Sequence, residues 1–465
     1  MLFASYRLFL QFVLLLLPLL LLLLLVGHDI LFFWVARMVM MCKYLTGKLP
    51  FSEVFLHSMV RDAHGRKMSK STGNVIDPMD VRNGVTLKKL KESLMGGNLS
   101  EKEIKKAQSG QEQDFPNGIP ECGVDALRFG LCAFLSRSGG DINLDVNRVI
   151  GYRQFCNKIW NAIKFVLISL GAGYKAGASA AASGKESAAD RWILSRLAYT
   201  VATVNTGMKT YDFQSVTQSI HSFIQYDYCS TYMEWLKPVM MAEGDSEAKT
   251  TSRATLYTGA DCLLKLISPF MPFLSEELWQ RLPRRQGDTT PSICVADFPT
   301  DTSARDEQLE ADTAVVNGIV DMCRSMKASY SIKSSEKGVK VYLKPGASAS
   351  GVKTMLGEIQ TLARVDAVIL SASDAAPAGC GVAVYDGTEI HMMIKGLVDI
   401  KLELAKLEKE LDRLSKAVTK DHAFLASEGA NKMKAEARAA REEKHKLNQE
   451  KVVTIKDAIV MFGNL

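Results

Sequence analysis

The sequence predicts a multidomain chain, α/β at its front and all-α behind, followed by a small α+β module and a closing antiparallel coiled coil. Three observations predict it. Before residue 150, short strand-like apolar runs alternate with apolar helical stretches. Over residues 190–330, apolar side chains recur at steps of three and four through long segments. From residue 397, Leu and Ile repeat at 3–4–3–4–3 with Lys and Glu on the outside. A length of 465 residues allows roughly two to four domains. Hydrophobic residues at 47% and charged residues at 23% are close to globular averages and exclude wholesale disorder. A net charge of +6 permits a nucleic-acid partner without arguing for one. The nine cysteines are scattered and form no CxxC pair. They read as reduced, mostly buried thiols in a reducing compartment, with neither a disulfide framework nor a protein-held metal.

Residues 1–26 form a hydrophobic, leucine-rich segment. Within it, residues 8–26 carry 13 leucines and no charge, which is long enough to span a bilayer. At roughly −0.5 kcal/mol per central leucine such a run partitions well. It is read as an artefact or foreign extension, with a membrane anchor as the other reading. Residues 27–150 are the α/β part. GHDILFFWVARMVMMCKYLTG reads as a short strand or turn entering an apolar helix, and FSEVFLHSMV as a strand. Residues 86–114 are polar and lysine-rich and read as a surface insertion with short helices. Residues 151–189 are a helix and a Gly/Ala/Ser-rich linker. In the helical domain, 190–330, Phe213, Val216, Ile220 and Phe223 make one apolar stripe, and Val315, Ile319, Met322 and Met326 another. Pro269 and Pro272 break a helix there, and Ser275 with Glu276 and Glu277 can start the next. Residues 331–396 give a strand, GVKVYLK, and a hairpin turning at Asp386-Gly387. In 397–465, Leu397, Ile400, Leu404, Leu407, Leu411 and Leu414 are the coiled-coil seam, and Val452, Ile455, Ile459 and Phe462 mark a returning helix.

The chemistry concentrates in RDAHGRKMSKSTGNVIDP, residues 61–78. Lys67 and Lys70 stand three residues apart, with Ser69 and Ser71 between and after them. Two ammonium groups so placed can approach one polyphosphate, and the hydroxyls add donors. Gly65 and Gly73 let backbone N–H groups come close. A flexible lysine can follow charge onto departing pyrophosphate, which stabilises the transition state more than the ground state. Taken alone, the same text also suits a solvated basic turn.

KMSKS is the second signature of class I aminoacyl-tRNA synthetases. GHDILFFWVARM, RDAHGRKMSKSTGNVIDP, GIPECGVDALRF, DINLDVNR and YRQFCNKIWNA together resemble the valyl branch of that family, of eukaryotic type, and SPFMPFLSEELW resembles its anticodon-binding part. The resemblance covers about residues 27–465. It implies a partial Rossmann-like class I catalytic fold over 27–150, a helical-bundle anticodon-binding domain over 190–330 and a coiled-coil tRNA-binding arm over 397–465. It implies ATP-dependent activation of valine and transfer to tRNA(Val), with Mg2+ accompanying ATP. Lys67 and Lys70 would be catalytic, with Ser69 and Ser71 joining them in binding ATP. Asp29 and Trp34 would lie in the amino-acid and adenylate pocket, although Trp34 reads equally well as a core aromatic. His57 and His64 read as structural, or as weak nucleotide contacts, rather than as a catalytic base. Partners would be valine, ATP and tRNA(Val), with other synthetases or translation factors as further candidates, in the cytoplasm.

One departure is large. The family pairs KMSKS with a HIGH-type signature, and none of the seven histidines, at 28, 57, 64, 221, 391, 422 and 445, makes one. The first half of the nucleotide fold and the editing domain are therefore expected to be missing, and this chain alone is expected to be inactive. A non-catalytic tRNA-binding or membrane-tethered protein is the competing reading.

Overall fold

A computed structural model describes residues 23–69, 74–95, 100–135, 140–177, 184–333, 335–336, 338–346, 350–371, 374–397 and 400–425, with isolated positions from 438 to 460. The chain clusters into two compact units. The first holds residues up to 185, 196–230 and 243–305, and the second holds 186–195, 231–242 and 306 onward.

In the first unit, strand β1 (Leu23–Gly27) lies parallel to β2 (Glu53–His57), in register from Leu23 opposite Glu53 to Gly27 opposite His57. Four residues of the leucine run thus enter a strand, where uninterrupted apolar text is what a parallel sheet requires. Residues 8–22 of the run lie outside the described residues. A parallel pair needs a crossover. Here it runs through a turn at His28–Ile30, a wide helical turn at Leu31–Ala36 and helix α1 (Arg37–Thr46). Strand β3 (Val60–Asp62) pairs in parallel with β4 (Ile142–Leu144). Their connection carries α2 (Pro78–Asn83), α3 (Leu87–Met95), α4 (Glu101–Asp114) and α5 (Val124–Phe134). The lysine-rich insertion is the pair α3 and α4, and a reciprocal capping box of Ser100 and Glu103 starts α4.

Helix α6 (Val146–Leu170) is capped by Asp145 and buries Val149, Ile159, Ile163 and Val166. The boundary expected at residue 150 falls inside it, because its apolar stripe continues without a break from Val146 to Leu170. Helices α7 (Ala188–Lys209), α8 (Phe213–Ser222) and α10 (Glu247–Ile267) follow; α7 up to Ser195 and all of α9 (Met233–Met241) belong to the second unit. Val216, Ile220 and Phe223 are buried as their spacing predicts.

Helix α11 (Pro272–Trp279) corrects one expectation. Ser275 does not cap it. Pro272 opens the helix, and the Ser275 hydroxyl donates to the Pro272 carbonyl from inside it. The free N–H groups of Phe273 and Leu274 donate instead to the Asp125 carboxylate, at 3.4 and 2.7 Å. A cap from a residue about 150 positions away replaces the local one.

In the second unit, β5 (Val339–Lys344), β6 (Val365–Ile369), β7 (Cys380–Tyr385) and β8 (Thr388–Met393) form a sheet of order β6-β5-β8-β7. Only the β5–β6 pair is parallel. The hairpin turns at Asp386 and Gly387, with φ of 46° and 72°, the left-handed pair that matches strand twist. Helices α12 (Glu307–Ser329), α13 (Ser350–Thr354) and α14 (Leu356–Ala363) pack in this unit. In α12 Ile319 and Met326 of the expected stripe are buried, Val315 and Met322 are only half-buried, and Val316, Val320, Cys323 and Lys327 complete the buried face. Lys327 is tolerated because its ammonium donates to the Glu336 carbonyl ahead of β5, at 2.9 Å, and to those of Ala363 and Arg364 at the end of α14, at 3.1 and 2.7 Å.

Helix α15 (Ile400–Leu425) carries the heptad text, and Leu414 on it is buried. Most of the returning segment lies outside the described residues, but the His445 ring sits 6.0 Å from that of His422. All nine cysteines are free, with Cys294 exposed. Among the described residues, no helix is long and apolar enough to cross a membrane.

Candidate active site at the basic loop

The candidate residues follow the carboxyl ends of parallel strands, the edge at which open α/β sheets bind ligands. Asp29 and Trp34 come directly after β1, and the basic loop comes directly after β3. Asp29 Oδ1 stands 2.7 Å from where a β-carbon on Gly27 would lie, and the His57 ring closes the same spot at 3.8 Å. Both Asp29 and Trp34 are exposed, and Trp34 at 59% is no core aromatic.

The loop folds back on β3 before it reaches the lysines. Lys67 bridges to Arg61, and the Asp62 N–H donates to the Arg66 carbonyl at 3.1 Å. The intervening turn places Gly65 at φ 75°, a left-handed position that suits glycine. Lys67 is exposed and Ser69 half-buried. Lys70 and Ser71 lie outside the described residues. Arg61 is paired with Asp141 beside the loop.

Beneath this basic surface lies a polar cluster. Asp62 and Asn74 are 3% and 4% exposed. The Asp62 carboxylate accepts from the N–H groups of His64 and Arg66, at 3.0 and 2.8 Å, from Arg66 Nε at 2.6 Å and from Asn74 Nδ2 at 2.9 Å. Burial pushes its pKa up. The bonds from Asn74 and from the Arg66 amide and guanidinium, with the Arg66 charge, outweigh that and hold it at about 2. Asp114, the last residue of α4, takes a second Arg66 bond at 3.1 Å and pairs with His64 Nε2 at 3.0 Å. His64 is thus engaged structurally. A cavity of about 890 Å3 adjoins, with Asp62, His64, Asn74, Asp114 and Asp145 among its walls. Its carboxylates make it a poor site for phosphate; Lys67 stands on the exposed side of the loop.

Sequence reading singled out Lys67 and Ser69 but not Asp62, Asn74 and Asp114. The first two flank the loop in the text, yet only the fold reveals that they are buried against each other.

Comparison with known proteins agrees with this geometry. A family model described as tRNA synthetases class I (I, L, M and V) matches residues 21–145, and one described as the anticodon-binding domain of tRNA ligase matches 190–343. A valine–tRNA ligase of Mus musculus is 46% identical over 444 residues, covering 94% of this chain and 35% of that protein. One from Caenorhabditis elegans is 40% identical over 450 residues, covering 94% and 43%. A mitochondrial valine–tRNA ligase of Saccharomyces cerevisiae is 44% identical over 398 residues, covering 84% and 35%. The chain therefore spans about a third to two-fifths of the length of these relatives. With a KMSKS loop at the end of a parallel strand and similarity along nearly its whole length, the chain belongs to the class I aminoacyl-tRNA synthetases, in the valine–tRNA ligase family.

Proposed function

We propose that the chain works in valine–tRNA ligation, the ATP-dependent activation of valine and its transfer to tRNA(Val). The observation that carries this is the similarity to valine–tRNA ligases over 94% of the chain, which takes in the basic loop. In this reading Lys67 and Lys70 hold the phosphates of ATP, which enters with its Mg2+. Ser69 and Ser71 help hold the nucleotide. Attack of a carboxylate on phosphorus needs no protein base, so placement and charge stabilisation are what these residues supply. Lys67 meets that need as an exposed cation on an anchored turn. Asp29 and Trp34 contribute to the amino-acid and adenylate pocket, for which their place after β1 is the support.

The remaining domain assignments belong to the same proposal. Residues 27–150 are catalytic, 190–330 bind the anticodon region, and 397–465 form a coiled-coil arm on tRNA. The matched anticodon-binding model supports the second, and the α15 heptads with the His422–His445 approach support the third. The cytoplasm is the proposed compartment, in keeping with nine free thiols.

The test is valine-dependent ATP–pyrophosphate exchange, together with tRNA(Val) binding. Joined to the amino-terminal part of a valine–tRNA ligase relative, the chain should exchange, and Lys67→Ala should slow it by about 10²-fold or more, the usual cost of a charge-stabilising group. The 465-residue chain by itself should show no exchange. Exchange by it would overturn that expectation. Binding of tRNA without exchange in any form would favour the non-catalytic reading.

A further inference from the structure

We infer that Asp62 and Asn74 are positioning residues that set the main chain on both sides of Met68 and thereby the place from which Lys67 acts. The inference rests on the reading of the loop as a phosphate grip.

The hydrogen bonds around Asn74 are the basis. Its Nδ2 group donates to Asp62 Oδ2 at 2.9 Å and to the Lys67 carbonyl at 3.2 Å. Its Oδ1 accepts the Ser69 N–H at 3.0 Å. One side-chain amide therefore holds both the residue before Met68 and the residue after it. The orientation of the amide is forced, because an ionised carboxylate only accepts and must face the NH2 end. Asp62 in turn uses four acceptor bonds, the full capacity of a carboxylate. Two of them fix the main chain at His64 and Arg66, the residues that lead into Lys67.

This goes beyond closing a turn. Turn-forming Asp and Asn side chains ordinarily bond their own backbone two residues on. Asn74 reaches back to positions five and seven residues earlier. The pair is buried beside a loop whose described residues from 63 to 69 are all exposed or half-buried. Such a pair costs desolvation free energy unless every bond is made, and here the bonds are spent on the peptide groups around the acting lysine. Asp114 adds an outer tie through Arg66 and His64.

The experiment uses the full chain and inorganic pyrophosphate. Reductive methylation of Lys67 is followed by mass spectrometry across a pyrophosphate titration, with Lys353 in the second unit as the reference. Hydrogen exchange at the Ser69 amide is measured in parallel. In the wild type, pyrophosphate should slow labelling of Lys67 but not of Lys353. Asn74→Ala should raise the pyrophosphate needed for equal protection about tenfold, the scale of one lost net interaction, and should speed Ser69 exchange by at least as much. Asn74→Asp should be worse, since it sets one carboxylate against another. Adding Asp62→Asn to it restores a donor–acceptor pair and should recover Ser69 protection and part of the pyrophosphate effect. A purely structural pair would not yield that rescue of anion protection. Unchanged pyrophosphate dependence in Asn74→Ala overturns the inference. If the wild-type lysine is not protected at all, the phosphate-grip reading fails, and Ser69 exchange then decides by itself whether the brace stands.

Discussion

The β1–α1–β2 segment is richer in apolar residues than the α6, α8 and α10 helices, yet the two regions use them in opposite ways. In the helices most large apolar side chains turn inward. Ile159, Ile163 and Leu264 are fully buried, and in the helical turns that continue α8 Ile224 is fully buried and Tyr228 is buried with its hydroxyl donating to the Leu256 carbonyl at 2.6 Å. In the strand segment Phe32, Met40 and Tyr44 are 74%, 70% and 87% exposed, and α1 buries no residue at all. The segment is tied to the helices mainly through Phe55, packed 5.2 Å from Tyr211, and Glu53, bonded to the same tyrosine at 3.2 Å. Hydrophobic content alone does not make a core. A helix can bury its stripe against its neighbours, whereas a parallel strand pair has two faces and two edges to cover.

The largest consequence is in local stability. Opening free energies range from near zero to the global value within one protein. Amides of β2 such as Phe55 should exchange at least about 10³-fold faster than that of Leu264. Equal protection in the two regions would break the comparison. Point substitutions sharpen it. Leu264→Ala should cost about 2–5 kcal/mol by leaving a cavity, while Phe32→Ala should stay within about 0.5 kcal/mol, both read by denaturant unfolding.

Acid probes a buried carboxylate of the front region. Asp62 has a folded-state pKa of about 2, below its ordinary 3.8. Its stabilisation is therefore complete above about pH 4 and is lost as pH falls through 2, a change of about 2 kcal/mol. The slope of stability against pH in this window should flatten in Asp62→Asn. On the helical side, Asp125→Ala removes the distant cap of α11 and should cost about 1 kcal/mol. A smaller loss in Asp125→Asn, which keeps an acceptor, would assign that cost to the cap.

Much of this was legible beforehand. The hairpin at Asp386-Gly387 lies where its turn residues put it, because a left-handed pair has few chemical solutions. The stripe from Val216 to Phe223 is buried, because helical periodicity is local. The cap of α11 was not legible. Ser275 has the right chemistry for a cap, but Pro272 had already started the helix, and the group that satisfies its N–H donors comes from α5. Lys327 was hidden for a similar reason, since a lysine reads as surface until three carbonyls are brought around it.

The sequence by itself determined the family, the basic stretch that holds Lys67 and Ser69, and the helical stripe and hairpin named above, since each depends on residue type and short-range spacing. Only the tertiary structure decided that Leu23–Val26 join a strand, that Trp34 is exposed, and that Asp62 and Asn74 meet beneath the loop. Those outcomes depend on which groups desolvate one another, and burial is a property of neighbours that are distant in the chain.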